Sequence, residues 1–194
     1  MMNMTVDFTR TQQLKSLTHD THDQLDKRIM ANKPFANTDN YGRFLIAQYG
    51  FLRDCDPLYD NPNLAALFPD LAERRRYDRI AADIADLGRE LPAHDVLAPV
   101  EHKQDIPTAL GWMYVTEGSK LGAAILIKMA GSLGFTEECG ARHLAGAPEG
   151  RARNWRLFTS VVDSMDFSDE EEARLIAGAK AAFTRMNNHL DQVY

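Results

Sequence analysis

Apolar residues recur along this chain with the three- and four-residue spacing of amphipathic helices, and no stretch alternates as a strand would. Asp39 can cap the second long helix, and Ser168 with Glu171 has the spacing of a capping box. The long helices are predicted at 9–30, 40–54, 70–88, 108–129, 151–165 and 168–193, with short helices between prolines 57, 62 and 69. The pattern predicts one all-α domain, residues 1–194, of about seven to nine helices, with residues 1–8 as a flexible tail.

The predicted helix from Thr108 to Met129 contains three interior glycines, Gly111, Gly118 and Gly122. Each destabilises a helix by about 1 kcal/mol relative to alanine. At roughly 100° per residue the three fall on nearly one face. A face without side chains lets another helix or a flat ligand approach the backbone closely. In a soluble helix this spacing more often reflects helix packing, and the glycines alone leave both interpretations open.

The first predicted helix carries two histidines, of which His22 is the stronger candidate ligand. Within the helix, His22 lies roughly 60° from the centre of the apolar stripe and His19 roughly 120° from it. Asp26, one turn later, can accept a hydrogen bond from the other ring nitrogen, and Lys15 can meet an anionic group on the same side. Alternatively, His22 is a hydrogen-bonded core histidine and Lys15 is an ordinary solvated lysine. The stripe itself is predicted at Leu14, Leu17, Leu25 and Ile29.

Composition narrows the class of protein. The chain has 194 residues, 44% of them hydrophobic and 26% charged, with a net charge of -6, so a nucleic-acid partner is not expected. Two cysteines without a CxxC spacing fit a reducing, cytoplasmic location. The first residues lack the apolar core of a signal peptide, and no apolar run reaches the roughly 20 residues that span a bilayer. No membrane partner is expected.

An imidazole on one side and a bare glycine face on the other describe a slot for a planar metal complex, of which haem is the obvious candidate. The remaining histidines lack the spacing of a ligand set and are interpreted as surface or capping residues. They are His94, His102, His143 and His189. A di-iron carboxylate bundle would need paired Glu-x-x-His motifs, and the chain has no such pair.

Several blocks of the sequence resemble the bacterial haem oxygenases, most closely the branch found in Gram-negative bacteria such as Pseudomonas and Neisseria. The longest is ALGWMYVTEGSKLGAA at residues 109–124. The others lie, in order, at residues 22–26, 33–36, 44–49, 56–59, 67–69, 85–88 and 140–144. The resemblance runs from about Leu14 to the C-terminus. It implies a single-domain multihelical bundle in which haem is held between a proximal and a distal helix.

The resemblance implies a role for each candidate residue. His22 becomes the proximal iron ligand. The helix with Gly118, Ser119 and Gly122 becomes the distal helix, whose residues contact haem and serve catalysis. Lys15 and Tyr114 match positions that contact the haem propionates in relatives that cleave at the α-meso carbon. Relatives that cleave at β or δ depart at these two positions.

Two further positions complete the expected site. Gln48 matches a position in the distal hydrogen-bond network of some members. Asp26 stands where the family often has a glutamate four residues after the histidine. Because the aspartate side chain is shorter, its hydrogen bond to His22 can require a bridging water. The chain has no flavin, dinucleotide or P-loop motif, so electrons must come from an external donor.

The implied reaction is the cleavage of haem, both substrate and cofactor, with O₂ and external electrons. The implied products are biliverdin, mainly the IXα isomer, carbon monoxide and free iron. The donor would be a protein such as a ferredoxin or a reductase. Iron acquisition and biliverdin supply are equally open as purposes. A haem carrier or sensor that leaves the ring intact, and an all-α enzyme without haem, remain the alternatives.

A basic cluster stands out on this acidic chain, namely residues 74–76 together with Arg79. Complementary charge steers protein encounters, so the cluster is a candidate docking surface for an acidic electron donor. The alternative is an ordinary solvated helix face.

Overall fold

The computed structural model describes residues 8–93 and 98–194, so the predicted tail lies outside the described residues apart from Phe8, as does His94. In these ranges the chain forms helices, and β-type pairing is limited to isolated bridges at Thr136. The α-helices are α1 Arg10–Ala31, α2 Thr38–Cys55, α3 Pro62–Leu67, α4 Leu71–Arg74, α5 Tyr77–Asp86, α6 Ile106–Gly131, α7 Arg151–Ser164 and α8 Asp169–Val193. Two 3₁₀ helices cover Asp56–Asp60 and Arg142–Leu144. The predicted all-α class is confirmed.

Side-chain caps define where most long helices begin. Thr9 caps α1, and Ser168 with Glu171 forms the predicted capping box of α8. The predicted cap of α2 is wrong, because Asn37 and not Asp39 has the extended backbone of an N-cap. The side chain of Asn37 accepts a hydrogen bond of 2.8 Å from the backbone N–H of Asn40.

The single helix predicted between residues 70 and 88 is also wrong, because the chain breaks after Arg74. Arg75 turns to form a two-pronged contact with Asp56 at 2.7 and 2.6 Å. Arg76 donates a hydrogen bond of 2.8 Å to the carbonyl oxygen of Ala145. These contacts to distant segments outweigh the local helical pattern, so α4 and α5 are separate helices.

A close backbone contact joins α6 to α8 through Gly111 and Gly178. A Cβ atom on Gly111 would overlap the carbonyl oxygen of Leu175 and lie 2.7 Å from the backbone nitrogen of Ala179. A Cβ atom on Gly178 would lie 2.5 Å from the carbonyl oxygen of Thr108. Helix packing therefore explains the first of the three α6 glycines.

We expect Gly111→Ala to destabilise the protein by about 3 kcal/mol or more, because the new methyl group meets backbone atoms that cannot rotate away. Urea unfolding measures the effect. Gly131→Ala, in the same helix, is the control, because a Cβ atom there has no neighbour within 4 Å among the described residues. An unchanged unfolding midpoint for Gly111→Ala would contradict this packing.

A buried carboxylate, Asp54, ties α2 to α8. Its Oδ2 atom lies 2.7 Å from Nε2 of His189 and accepts a hydrogen bond from Arg185, while Arg53 donates to Oδ1 at 3.0 Å. Burial acts to raise the pKa of Asp54, but these three partners outweigh it and lower the pKa to about 2. His189 is therefore a buried partner of a carboxylate, and its interpretation as a surface or capping residue is wrong.

Because the pKa of Asp54 is lower in the folded protein, its contribution to stability is present above pH 3.8 and is lost as the pH falls towards 2. We expect Asp54→Asn to lose about 2–3 kcal/mol at pH 7. The difference from wild type should shrink between pH 4 and 2 in a series of urea titrations. Asp191→Asn, which breaks an exposed pair with Arg28, should change stability by less than about 0.5 kcal/mol. A constant Asp54→Asn deficit at all pH values would contradict the assignment.

Candidate functional site

Three side chains of α1 follow one another along one side of the helix at spacings of three and four residues. They are Lys15, Thr18 and His22, of which Lys15 and His22 are exposed and Thr18 is buried. Near the start of α1, the backbone N–H of Thr11 donates a hydrogen bond of 2.8 Å to the Asp163 side chain of α7. This contact fixes the rotation of α1 about its axis. The candidate ligand and the candidate propionate contact thus share a side.

His22 lies at the edge of an aromatic contact with α8. Its imidazole meets the ring of Phe183 edge-on, with centroids 5.9 Å apart, and its side chain is 54% exposed. The Nε2 atom is 3.6 Å from the Asp26 carboxylate, which is longer than a hydrogen bond. The short Asp26 side chain therefore stops short of a direct bond to the ring in this arrangement.

The apolar stripe predicted for α1 is wrong at Leu17, which is 50% exposed. The buried positions include Thr11 and Thr18 instead. Both hydroxyls are satisfied, since Thr11 bonds to Asp163 and Thr18 donates 2.7 Å to the carbonyl oxygen of Leu14. Satisfied threonines can occupy buried positions that a stripe defined by apolar residues alone leaves out.

Burial does not separate the two histidines of α1. His19 is 60% exposed and lies 3.7 Å from Asp23, an arrangement like that of His22 and its aspartate. The difference is that His22 also contacts Phe183, on the side of α1 that faces α8. This pair of similar sites on one helix provides a matched control for experiments on His22.

The second half of α6 presents an open face. A Cβ atom on Gly118 would make ordinary contact with the Trp155 ring at 3.6 Å, and one on Gly122 would meet none of the described residues within 4 Å. Leu121 and Ile125, on the same side of the helix, are 39% and 67% exposed. We call Gly118, Leu121, Gly122 and Ile125 the open face of α6.

Helices α1 and α6 approach each other one turn before His22 on α1 and one turn before Gly118 on α6. Tyr114 of α6 lies next to Thr18 of α1, and its ring centroid lies 5.5 Å from that of Trp155. Burial raises the pKa of Tyr114, so its hydroxyl stays protonated. His22 and Gly118 each lie about 6 Å further along their helices from this contact. Gly118 thus follows Tyr114, and His22 follows Thr18, by one helical turn.

Ser119 is exposed beside the open face, with its hydroxyl turned to its own helix. The Oγ atom donates a hydrogen bond of 2.7 Å to the carbonyl oxygen of Thr116. Its proton is therefore engaged, and its lone pairs remain able to accept a hydrogen bond.

Gln48 belongs to a separate polar network on α2. Its Oε1 atom lies 2.9 Å from Nε2 of His143, whose Nδ1 atom lies 2.7 Å from Asp83. Burial lowers the pKa of His143 although Asp83 acts in the opposite direction. His143 is thus a buried orienting residue, and its interpretation as a surface or capping residue is wrong. The described contacts do not bring Gln48 to Gly118 or Ser119.

The basic cluster expected as a docking surface is largely consumed by internal contacts. Arg74 is buried and bonds to Glu117 at 2.8 Å, and Arg75 pairs with Asp56. Arg76 is held by backbone carbonyls of the 143–145 segment. Arg74, Arg75 and Arg76 therefore form neither a solvated helix face nor a free docking surface, whereas Arg79 is exposed.

The arrangement suits a metal complex that brings most of its own ligands. Within residues 8–93 and 98–194 no three His, Cys, Asp or Glu side chains gather closely enough to hold a bare metal ion. An exposed imidazole and a helix face without side chains would instead suit a flat metal complex such as a porphyrin, whose metal a residue like His22 would hold. In the same ranges no helix is long and apolar enough to cross a membrane.

Sequence patterns missed several residues of this region. Thr18 and Phe183 frame the histidine side of α1, and Trp155 borders Gly118. The spacing of Thr18 between Lys15 and His22 was available as a signal. Phe183 and Trp155 lie on helices far away in the chain, and no local pattern relates them to His22 or Gly118.

Comparisons with known proteins identify the family of this chain. The family model described as Heme oxygenase matches residues 9–192. Heme oxygenase PigA of Pseudomonas aeruginosa is 44% identical over 185 residues, which cover 95% of this chain and 93% of that protein.

Solved structures give the same result. The NO- and CO-bound heme oxygenase from Neisseria meningitidis superposes with a TM-score of 0.89 and 37% identity, covering 96% of this chain and 92% of that one. Heme oxygenase from Leptospira interrogans has a TM-score of 0.72 at 16% identity, covering 95% of this chain and all of that one, and supports the fold alone. The chain therefore belongs to the haem oxygenase family of enzymes.

Proposed function

We propose that this enzyme cleaves haem oxidatively to biliverdin, carbon monoxide and free iron, with His22 as the proximal iron ligand and α6 as the distal helix. The observation that carries the proposal is the contact between Tyr114 and Thr18, one turn from His22 on α1 and one turn from Gly118 on α6. It relates the exposed imidazole of His22 to a helix face on which two side chains are absent.

Each residue of the site has a distinct task in this proposal. Bound haem supplies an iron that takes electrons and reacts with O₂, and it is itself the ring that is opened. Gly118 and Gly122 admit the flat ring close to the α6 backbone. The lone pairs of Ser119 hold ordered water, and Gln48, oriented by His143, helps to position the proton supply. Asp26 orients His22 through a water, because the direct distance of 3.6 Å is too long.

We further propose that the ring opens mainly at the α-meso carbon. Lys15 and Tyr114 both flank Thr18, Lys15 one turn earlier on α1 and Tyr114 from α6. A cation and a hydroxyl on the same side can fix the propionates and thereby the orientation of the ring.

The double variant Lys15→Ala/Tyr114→Phe is expected to turn a majority of the IXα isomer into a mixture. A charge-assisted hydrogen bond of about 1.5–3 kcal/mol biases two orientations by about tenfold or more. Chromatography of the biliverdin isomers measures the outcome, with Lys27→Ala as a control for an exposed lysine elsewhere on α1. A wild-type product that is mostly β or δ would contradict the proposal.

The whole proposal is tested by an absorption time course. One equivalent of haemin is added, followed by a reductase-based electron source and oxygen. Decay of the Soret band with growth of a biliverdin band is the expected result. A Soret band that survives reduction and oxygen would identify a haem carrier or sensor, and the absence of any Soret shift on adding haemin would reject the haem site.

The electron donor is proposed to be an external protein, a ferredoxin or a reductase, that meets the enzyme in the cytoplasm. The contacts of Arg74 and Arg75 with carboxylates remove them from its docking surface. Arg79, which is exposed, is the member of the cluster that remains free to meet such a donor.

A further inference from the structure

A cluster of buried charged side chains lies behind the open face of α6. Lys120, placed between Gly118 and Gly122, points to the opposite side of the helix. Its Nζ atom donates to the Glu117 carboxylate and, at 3.0 Å, to the carbonyl oxygen of Arg74. The Arg74 guanidinium donates 2.8 Å to the other oxygen of Glu117. The three side chains are 9% exposed or less.

This cluster has more positive than negative charge. Arg74 also pairs with Asp70 at 2.9 Å. Arg76 and Arg151 donate to carbonyl oxygens, and among the described residues neither makes an ion pair with a carboxylate. Four cations therefore surround two carboxylates. The groups that border Lys120, or the small cavity it lines, are Glu117, Arg74, Arg76, Arg151, Asn154 and Trp155.

The excess charge persists at neutral pH. Burial lowers the pKa of Lys120 to about 8 although Glu117 acts in the opposite direction, and burial lowers that of Arg76 to about 10. Both side chains are thus still mostly protonated at pH 7. Two buried polar atoms of this region, Nε of Arg74 and Oδ1 of Asn154, have no hydrogen-bond partner among the described residues.

We propose that the buried charge of Lys120 acts through α6 on the haem and favours anionic over neutral ligands at its distal face. This inference rests on the proposed haem site. Gly118 and Gly122 lack side chains, so a ring on the open face would lie close to the α6 backbone. The distance from the buried cluster to such a ring is then about one helix diameter, on the order of 10 Å. At an effective dielectric constant of about 20, one charge at that distance changes the affinity for an anion by about tenfold.

The test compares an anionic and a neutral ligand on the haem-loaded protein. Azide affinity of the ferric complex and carbon monoxide affinity of the ferrous complex are measured for wild type and Lys120→Gln. Azide affinity should fall by about tenfold and carbon monoxide affinity should change less than about twofold. A purely structural role of Lys120 would move both affinities together, and that result would overturn the proposal.

Two further variants separate charge from packing. Glu117→Gln/Lys120→Gln removes one charge of each sign at nearly the same place, so azide affinity should return close to the wild-type value. Lys128→Gln removes an exposed cation from the same helix and should have little effect, because solvent screens it. An equal loss of azide affinity in Lys128→Gln would also overturn the proposal.

Wild-type protein gives an independent measurement should Lys120→Gln fail to fold. By reciprocity, azide binding must raise the pKa of Lys120 by about one unit, which NMR of ¹³C-labelled lysine can follow. An unchanged Lys120 pKa on azide binding overturns the proposal. Wild-type protein that shows no Soret shift with haemin would instead reject the haem site, so the two failures are distinguishable.

Discussion

His22→Ala is expected to abolish haem cleavage while leaving the fold intact. The imidazole is 54% exposed and is held by an edge-on ring contact with Phe183, so its loss removes little buried surface. Loss of the proposed iron ligand should reduce the rate of biliverdin formation at least 100-fold, equal to about 2.7 kcal/mol in the barrier. The absorption time course measures the rate, and the Soret position reports the change of ligand.

His19→Ala provides the matched control for this result. His19 lies on the same helix, is exposed to a similar degree and has an aspartate at a similar distance. It lacks the contact to α8, so haem cleavage should proceed at the wild-type rate. Equal losses in the two variants would mean that α1 carries the ligand elsewhere, and His22 would be rejected.

Gly118→Leu is expected to block haem cleavage by closing the space next to the open face of α6. The effect should again be about 100-fold or more in rate. Gly118→Ala refines the test, because its methyl group would lie 3.6 Å from Trp155, an ordinary contact that the fold accepts. The alanine variant should be more stable than wild type by up to about 1 kcal/mol and yet bind haem more weakly.

Gain of stability with loss of function is the signature that separates a ligand-binding glycine from a packing glycine. Gly131→Leu, at the end of the same helix where a Cβ atom meets no neighbour, controls for the bulk of leucine. Haemin titration and urea unfolding of the variants provide the two readouts. Normal ring opening by Gly118→Leu would refute the distal assignment of α6.

Local sequence patterns predicted most of the fold because most helix boundaries here are set by local chemistry. Capping residues such as Ser168 and Asp105 act within one turn, so their signals are readable from the chain. The failures lie where distant contacts override the pattern. Arg76, between α4 and α5, donates to the backbone carbonyls of His143 and Ala145. Nothing in the sequence near residue 76 indicates these distant partners.

The candidate site divides in the same way. The spacing of Lys15 and His22 and the glycines of α6 were readable, since both depend on helical periodicity alone. The three glycines nevertheless have different environments, because α8 covers Gly111 and leaves Gly122 open. Periodicity places residues on a face but does not show where the covering helix ends. The partners of Gln48 lay beyond sequence reasoning for the same cause, since His143 is far away in the chain.

The uneven cover of α6 has an energetic consequence. Its first half is locked against α8, where Gly111 and Gly178 allow the backbones to touch, while Leu121 and Ile125 face outward in the second half. Local opening of a helix begins where the fewest buried contacts hold it. Opening of α6 therefore starts from its C-terminal half, and any ligand that lies over Leu121 and Ile125 is thermodynamically linked to the order of that half. Ligand binding and the ordering of the C-terminal half of α6 are in this sense coupled equilibria.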